Sequence, residues 1–153
     1  EKSQAVFTRV VGLDNVQVIS VAISDHHAVA LSQTGGAYTW GANAAGQLGH
    51  GPGEDAQVLA PRRVQELRKV RIEAAAAGDT HSAFLAQGGV LYTCGNNARG
   101  QCGHSLLDPV NPTPRKVDAL TARHVSRVSA SSHFTALSSS EALGVILLLL
   151  GSP

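Results

Sequence analysis

The sequence has no methionine, two cysteines, one tryptophan, two tyrosines and three phenylalanines, and each scarcity removes a class of protein. Cys94 and Cys102 are too few for the disulfide framework that staples small secreted domains. Separated by seven residues, they also lack the close pairing of a structural zinc site. Unpaired cysteines suit a reducing compartment, so the expected location is intracellular, cytoplasmic or nuclear, with an organelle also compatible. Charged residues make up only 15% of the chain and the formal net charge is +1. No general field then draws the molecule to nucleic acid or an anionic membrane, and any such binding has to be local. The longest apolar run, Val145 to Leu150, falls far short of the roughly 20 residues of a membrane-spanning helix, so no membrane contact is expected. Glu1-Lys2-Ser3-Gln4 shows no signal-peptide core or clear transit pattern and reads as a cut or processed end. Nucleophile elbow, phosphate-binding loop and His-Glu-x-x-His pair are all missing, so no catalytic, cofactor-binding or metal-ligating residues are expected.

What the chain does contain is a repeat. Thr39-Trp40-Gly41-Ala42-Asn43-Ala44-Ala45-Gly46-Gln47-Leu48-Gly49-His50 returns as Thr93-Cys94-Gly95-Asn96-Asn97-Ala98-Arg99-Gly100-Gln101-Cys102-Gly103-His104, 54 positions later (93 minus 39). The same shift carries His27-Ala28-Val29-Ala30-Leu31 onto His81-Ser82-Ala83-Phe84-Leu85. A third copy begins near Pro114-Arg115-Lys116-Val117 and runs through Ser132-His133-Phe134-Thr135-Ala136-Leu137, after which the signature is lost. A period of this length marks a repeat architecture. Within a unit the apolar stretches are short and bounded by Gly, Asp, Ser or Asn: Val16 to Ile23, Ala28 to Leu31 and Ala37 to Trp40, then Val70 to Ala77, Ala83 to Leu85 and Val90 to Cys94. These are strand signals. Ala74 to Ala77 has high helix propensity, but it fills the slot of Val21-Ala22-Ile23, and the repeat decides for strand.

Tyr38-Thr39-Trp40-Gly41-Ala42-Asn43 followed by Gly46-Gln47-Leu48-Gly49 resembles the hallmark of the regulator of chromosome condensation repeats, and the similarity covers residues 6 to 137. Cys94 and Cys102 stand where the second signature would carry Trp and Leu. The resemblance implies one four-stranded propeller blade per unit and seven blades in a closed ring. The expected fold class is therefore all-β, a partial β-propeller of about two complete four-stranded blades plus an incomplete, divergent third. Residues 1–15 read as a lead-in segment or a strand of a preceding blade, 16–68 as the first repeat and 69–120 as the second. Residues 121–153 read as the incomplete third repeat with its apolar C-terminus.

Among polar residues, His27, His81 and His133 are read as sharing one slot in successive units, which would distribute them over different blades and suits a structural bond better than a metal site. Arg62, Arg63, Arg68, Lys69 and Arg71, interrupted by Glu66, form the main charge cluster. It reads as a solvated connector or as a patch for phosphates or an acidic partner, and the absence of interleaved aromatics weighs against single-stranded nucleic acid. Gly51 to Ala60, with Glu54 and Asp55, and Ser105 to Thr113 are the candidate variable loops for a partner. The expected function is a non-enzymatic protein-interaction scaffold, a fragment or truncated form of a larger propeller protein. One alternative, implied by the resemblance, is guanine-nucleotide exchange on a Ran-type small GTPase, although nothing in the sequence matches the required wedge. Another is a place in a ribonucleoprotein or organellar assembly, touching RNA through Arg62 to Arg71. Two units and part of a third leave open blade faces, so missing blades, self-association or a partner are expected to cover them.

Overall fold

The structure, a computed structural model, describes residues 8–120, 122–141 and 144–150. Among the described residues eleven strands form three antiparallel sheets in chain order. The first contains β1 (Val18–Ile23), β2 (His27–Ser32), β3 (Ala37–Ala42) and β4 (Gln57–Arg63). The second contains β5 (Ile72–Ala77), β6 (His81–Ala86), β7 (Val90–Asn96) and β8 (Val110–Lys116). The third has three strands, β9 (Val125–Ala130), β10 (Thr135–Glu141) and β11 (Gly144–Leu150), with β10 in the centre. Each sheet is an up-and-down meander, and the sheets pack face to face through β1, β2, β5, β6 and β9. This is an incomplete propeller of two whole blades and a three-stranded third.

Alternation along β6 shows what holds the blades together. Phe84 and Ala86 join Val29, Leu31 and Ala37 of the first blade in one core cluster, while Ala83 and Leu85 join Val125 and Leu137 of the third blade in another. Successive strand residues point to opposite faces, so a central blade must be apolar on both, and every residue of β6 is buried. The connectors seal the junctions. Val64 and Leu67, the latter in a 3-10 turn over Gln65–Leu67, close the first, and Val117 and Leu120 close the second.

The signature residues act locally. Asn43 Oδ1 accepts the Leu48 N–H, Gln47 Oε1 accepts the Ala45 N–H and Thr39 Oγ1 donates to the Leu48 carbonyl; Asn97, Gln101 and Thr93 repeat all three bonds around Cys102 and Arg99. Gly46 adopts φ +72°, and a Cβ there would stand 2.5 Å from Pro112 Cα of the next blade. That glycine thus serves both a left-handed turn and the approach of two backbones.

Two expectations are corrected. Gln57 to Ala60 and Val110 to Thr113, read as parts of variable loops, belong to the outer strands β4 and β8. Prolines 61, 112 and 114 disguised them. Each outer strand carries an irregularity in register where these prolines sit, between the partners of Thr39 and Gly41 and between those of Thr93 and Gly95. Proline is tolerated at such edge positions because no ladder donor is needed there. The second correction concerns His133. The turn bonds run Ser24 N–H to His27 O, Gly78 N–H to His81 O and Ser131 N–H to Phe134 O, so the third blade places Phe134 in the histidine slot. His133 is exposed in the turn before it.

Candidate functional site

The polar groups inside the molecule bond to one another. His27 Nε2 lies 2.7 Å from Ser82 Oγ of the next blade, and Ser82 Oγ donates to the Gln47 carbonyl at 2.7 Å. One junction later His81 Nε2 lies 2.9 Å from Thr135 Oγ1, which donates to the Gln101 carbonyl at 2.8 Å. Because each hydroxyl proton is committed to a carbonyl, the imidazole has to supply the proton at Nε2, and Nδ1 is left as the acceptor. Ser24 Oγ approaches Nδ1 of His27 at 3.1 Å. In the second blade Gly78 takes the place of Ser24, and Nδ1 of His81 finds no hydrogen-bond partner among the described residues. Burial pulls both ring pKa values down to about 4; neighbouring positive imidazoles add to it, and Asp79 opposes it. These neutral rings bridge blades through Nε2.

The cysteines are equally inward. Both are free and buried, with Cys94 Sγ against the Gln47 carbonyl and Cys102 Sγ against that of Asn96. Burial pushes the Cys102 thiol up to about 12 and holds Cys94 well above the ordinary thiol value, which removes thiolate reactivity near neutral pH. Among the described residues there is no group of three or more His, Cys, Asp or Glu side chains able to hold a metal. No helix there is long and apolar enough to cross a membrane.

Surface charge is sorted by the direction of the strands. The β2–β3 turn, the end of β4 and the connector to β5 lie together, because Tyr38 pairs with Arg63 and the Ile72 N–H bonds the Gly35 carbonyl. Arg63, Arg68, Lys69 and Arg71 meet there around Thr34, Gly35 and Gly36, lining one depression. Arg63 Nη2 reaches the Arg68 carbonyl at 3.5 Å and Arg71 Nη2 reaches that of Gln33 at 3.3 Å; all four side chains are exposed. Arg62 is separated from them. As the neighbour of Arg63 on a strand it takes the other face and forms a two-pronged pair with Glu54, at 2.6 and 3.0 Å. That contact holds the Glu54 carboxyl below its ordinary value. Asp55 is exposed in the same loop, its carbonyl accepting from Asn43 Nδ2. The seven expected binding residues therefore fall into two places, Glu54, Asp55 and Arg62 toward the signature loop and the other four cations at the opposite end. Lys116 and Arg123, lining a depression beside Gly88 and Gly89, put further cations at that end. Sequence reading missed them, although Lys116 pairs with Tyr92 as Arg63 pairs with Tyr38.

Comparison with known proteins gives the following. The family model of the regulator of chromosome condensation (RCC1) repeat matches residues 34–85 and 88–138. The chain is 36% identical over 123 residues to the human E3 ubiquitin-protein ligase HERC2, covering 80% of this chain and 2% of that protein. It is 32% identical over 130 residues to the ultraviolet-B receptor UVR8 of Arabidopsis thaliana, covering 84% and 29%. Human WBSCR16 superimposes with a TM-score of 0.78 at 21% identity, covering 90% of this chain and 33% of that one. Prp20p of Saccharomyces cerevisiae, studied for its binding to Gsp1p and histones, superimposes with 0.74 at 26% identity, covering 88% and 33%. This chain thus spans a third or less of each of these proteins.

Proposed function

Since the chain belongs to the regulator of chromosome condensation (RCC1) repeat family, we propose that it serves as a non-enzymatic docking platform that presents the basic end of its blades to an acidic protein surface. The observation that carries this reading is the convergence of Arg63, Arg68, Lys69 and Arg71, drawn from a strand end and a connector, on one exposed depression. Two of the three guanidiniums, those of Arg63 and Arg71, are braced on backbone carbonyls, which limits the side-chain entropy lost when a partner docks. Clustered like charge speeds encounter with an acidic partner and confers specificity more than raw affinity. The buried His27, His81, Cys94 and Cys102 are uncharged and face the blade junctions, which leaves the exposed basic end as the surface a partner meets. Prp20p, a relative of known structure, binds proteins, Gsp1p and histones among them.

The test uses a fluorescent oligoglutamate peptide as probe and fluorescence anisotropy as readout. Binding is expected to weaken as salt rises, and to be lost in Arg68→Glu/Arg71→Glu with far-UV circular dichroism unchanged. Retention of binding by that variant refutes the docking face. A single-stranded RNA probe is run in parallel. Preference for RNA over the peptide favours the ribonucleoprotein alternative, and catalysed nucleotide release from a Ran-type GTPase favours the exchange-factor alternative.

A further inference from the structure

The basic end is not confined to the first blade. Each connector returns to the turn of its own blade through the same backbone bonds: Val64 N–H to the Ala37 carbonyl and Ile72 N–H to that of Gly35, then Val117 N–H to Leu91 and Val125 N–H to Gly89. The side chains carried by these bonds match as well. Arg63 pairs with Tyr38 as Lys116 pairs with Tyr92, and a Cβ built on Gly35 would meet Arg71 where one built on Gly89 would meet His124. Lys116 and His124 therefore repeat, one blade later, the places of Arg63 and Arg71, and both are exposed.

The two clusters adjoin. The Arg71 carbonyl accepts the N–H of Gln87, the neighbour of Gly88, which lines the second depression together with Lys116. Strand β8, which ends in Lys116, lies against the 3-10 turn Gln65–Leu67 that leads into Arg68. The cations thus form a row across two blade ends, at right angles to the strands. Glu66 and Asp118, in the 3-10 turns of the two connectors, offset part of it and leave it positive in sum.

A single patch fits any acidic surface, whereas a row selects for shape. Packed sheets lie about 10 Å apart, and an extended chain advances about 3.3 to 3.6 Å per residue, so about three residues carry a ligand from one cluster to the next. Each cluster sits in solvent, where a single charge pair contributes little, and a chain that reaches both makes the second contact intramolecular. Resting on the docking reading above, we propose that the partner's docking element is an extended acidic protein segment lying across the strand ends, with one group of carboxylates on Arg63, Arg68 and Arg71 and a second on Lys116 and His124. The second cluster is the weaker of the two. Where Arg71 gives the first a guanidinium fork that grips a carboxylate with two parallel bonds, His124 gives an imidazole that cannot.

The experiment measures fluorescence anisotropy of labelled peptides with the 153-residue chain at low ionic strength. Each peptide carries two Glu-Glu pairs separated by a Gly-Ser spacer of varied length, so that charge is constant across the series, and a peptide with one pair is the reference. The expected result is an affinity maximum at spacers of about one to four residues, about tenfold or more above the single pair, falling again by about 20 residues. Lys116→Ser, at an exposed strand end, is expected to abolish that gain and to leave the single-pair peptide nearly unaffected. His124→Arg, which supplies the second fork, is expected to tighten the matched peptide by about two- to fivefold. Affinity independent of spacer length, or a matched peptide indifferent to Lys116→Ser, overturns the two-blade segment while the single-patch docking face stands. Failure of Arg68→Glu/Arg71→Glu to weaken even the single-pair peptide overturns the docking face itself, and the row with it. Displacement of the matched peptide by single-stranded RNA at lower concentration than by unlabelled peptide overturns the assignment to a protein segment.

Discussion

His81 concentrates the energetics of the fold in one side chain. It is fully buried, its Nε2 bridges to Thr135, and its removal leaves that hydroxyl without a donor. His81→Ala is therefore expected to lower stability by about 1 to 3 kcal/mol, measured by urea unfolding, with no change in metal content. Acid gives an independent check. In the folded chain the rings of His27 and His81 titrate near 4, below the ordinary 6.5, so between these values the unfolded chain binds more protons. The stability they contribute is present above pH 6.5 and is lost as pH falls toward 4, by up to about 1.4 kcal/mol per pH unit for each ring. Urea midpoints measured from pH 7 to pH 4 should follow that slope, and His81→Phe should flatten it. Gly78 bears on the same ring. Gly78→Ser would supply the partner that Ser24 gives His27, yet a Cβ there would overlap the His81 ring and stand 2.5 Å from the Ser131 carbonyl. The substitution is expected to destabilise by about 1 to 3 kcal/mol, and a raised urea midpoint would contradict this.

Among the strands, legibility followed the repeat. β1 to β3 and β5 to β7 could be read from two matched copies, because short β-rich stretches between glycines recur at one spacing. The Ala74 to Ala77 segment shows the strength of that argument, since it is strand against its own propensity. β4 and β8 were half hidden because their prolines imitate a loop, and only the pairing of Tyr38 with Arg63 and of Tyr92 with Lys116 reveals the strand. The third blade misled for a different reason. Matching histidine to histidine aligned His133, whereas the backbone turn ending at Phe134 sets the slot. Similarly, five cations close in sequence suggested one patch, and strand alternation sends Arg62 away from Arg63. Edge position should also show in dynamics. In hydrogen exchange β2 and β6, buried along their whole length, are expected to be the slowest segments. The edge strands, β1, β4, β8 and β11 among them, are expected to exchange sooner, since they lack a ladder partner on one side. Equal protection of β1 and β2 would show that the first blade is covered in solution.

At the scale of the whole molecule the blades form a linear array in which each touches only its neighbours, so stability accrues junction by junction. The sorting of charge along the strands has a consequence that the formal charge of +1 conceals. Arg63, Arg68, Lys69, Arg71, Lys116 and Arg123 gather at one end, offset in part by Glu66, Glu73 and Asp118, while Asp25, Glu54, Asp55, Asp79 and Asp108 lie toward the other, offset in part by Arg99 and by Arg62 and Arg115 in ion pairs. The molecule is then close to electrically neutral in sum yet keeps a permanent dipole moment directed along its strands. Near neutral pH it should adhere to both cation- and anion-exchange surfaces at low ionic strength, presenting opposite ends to each.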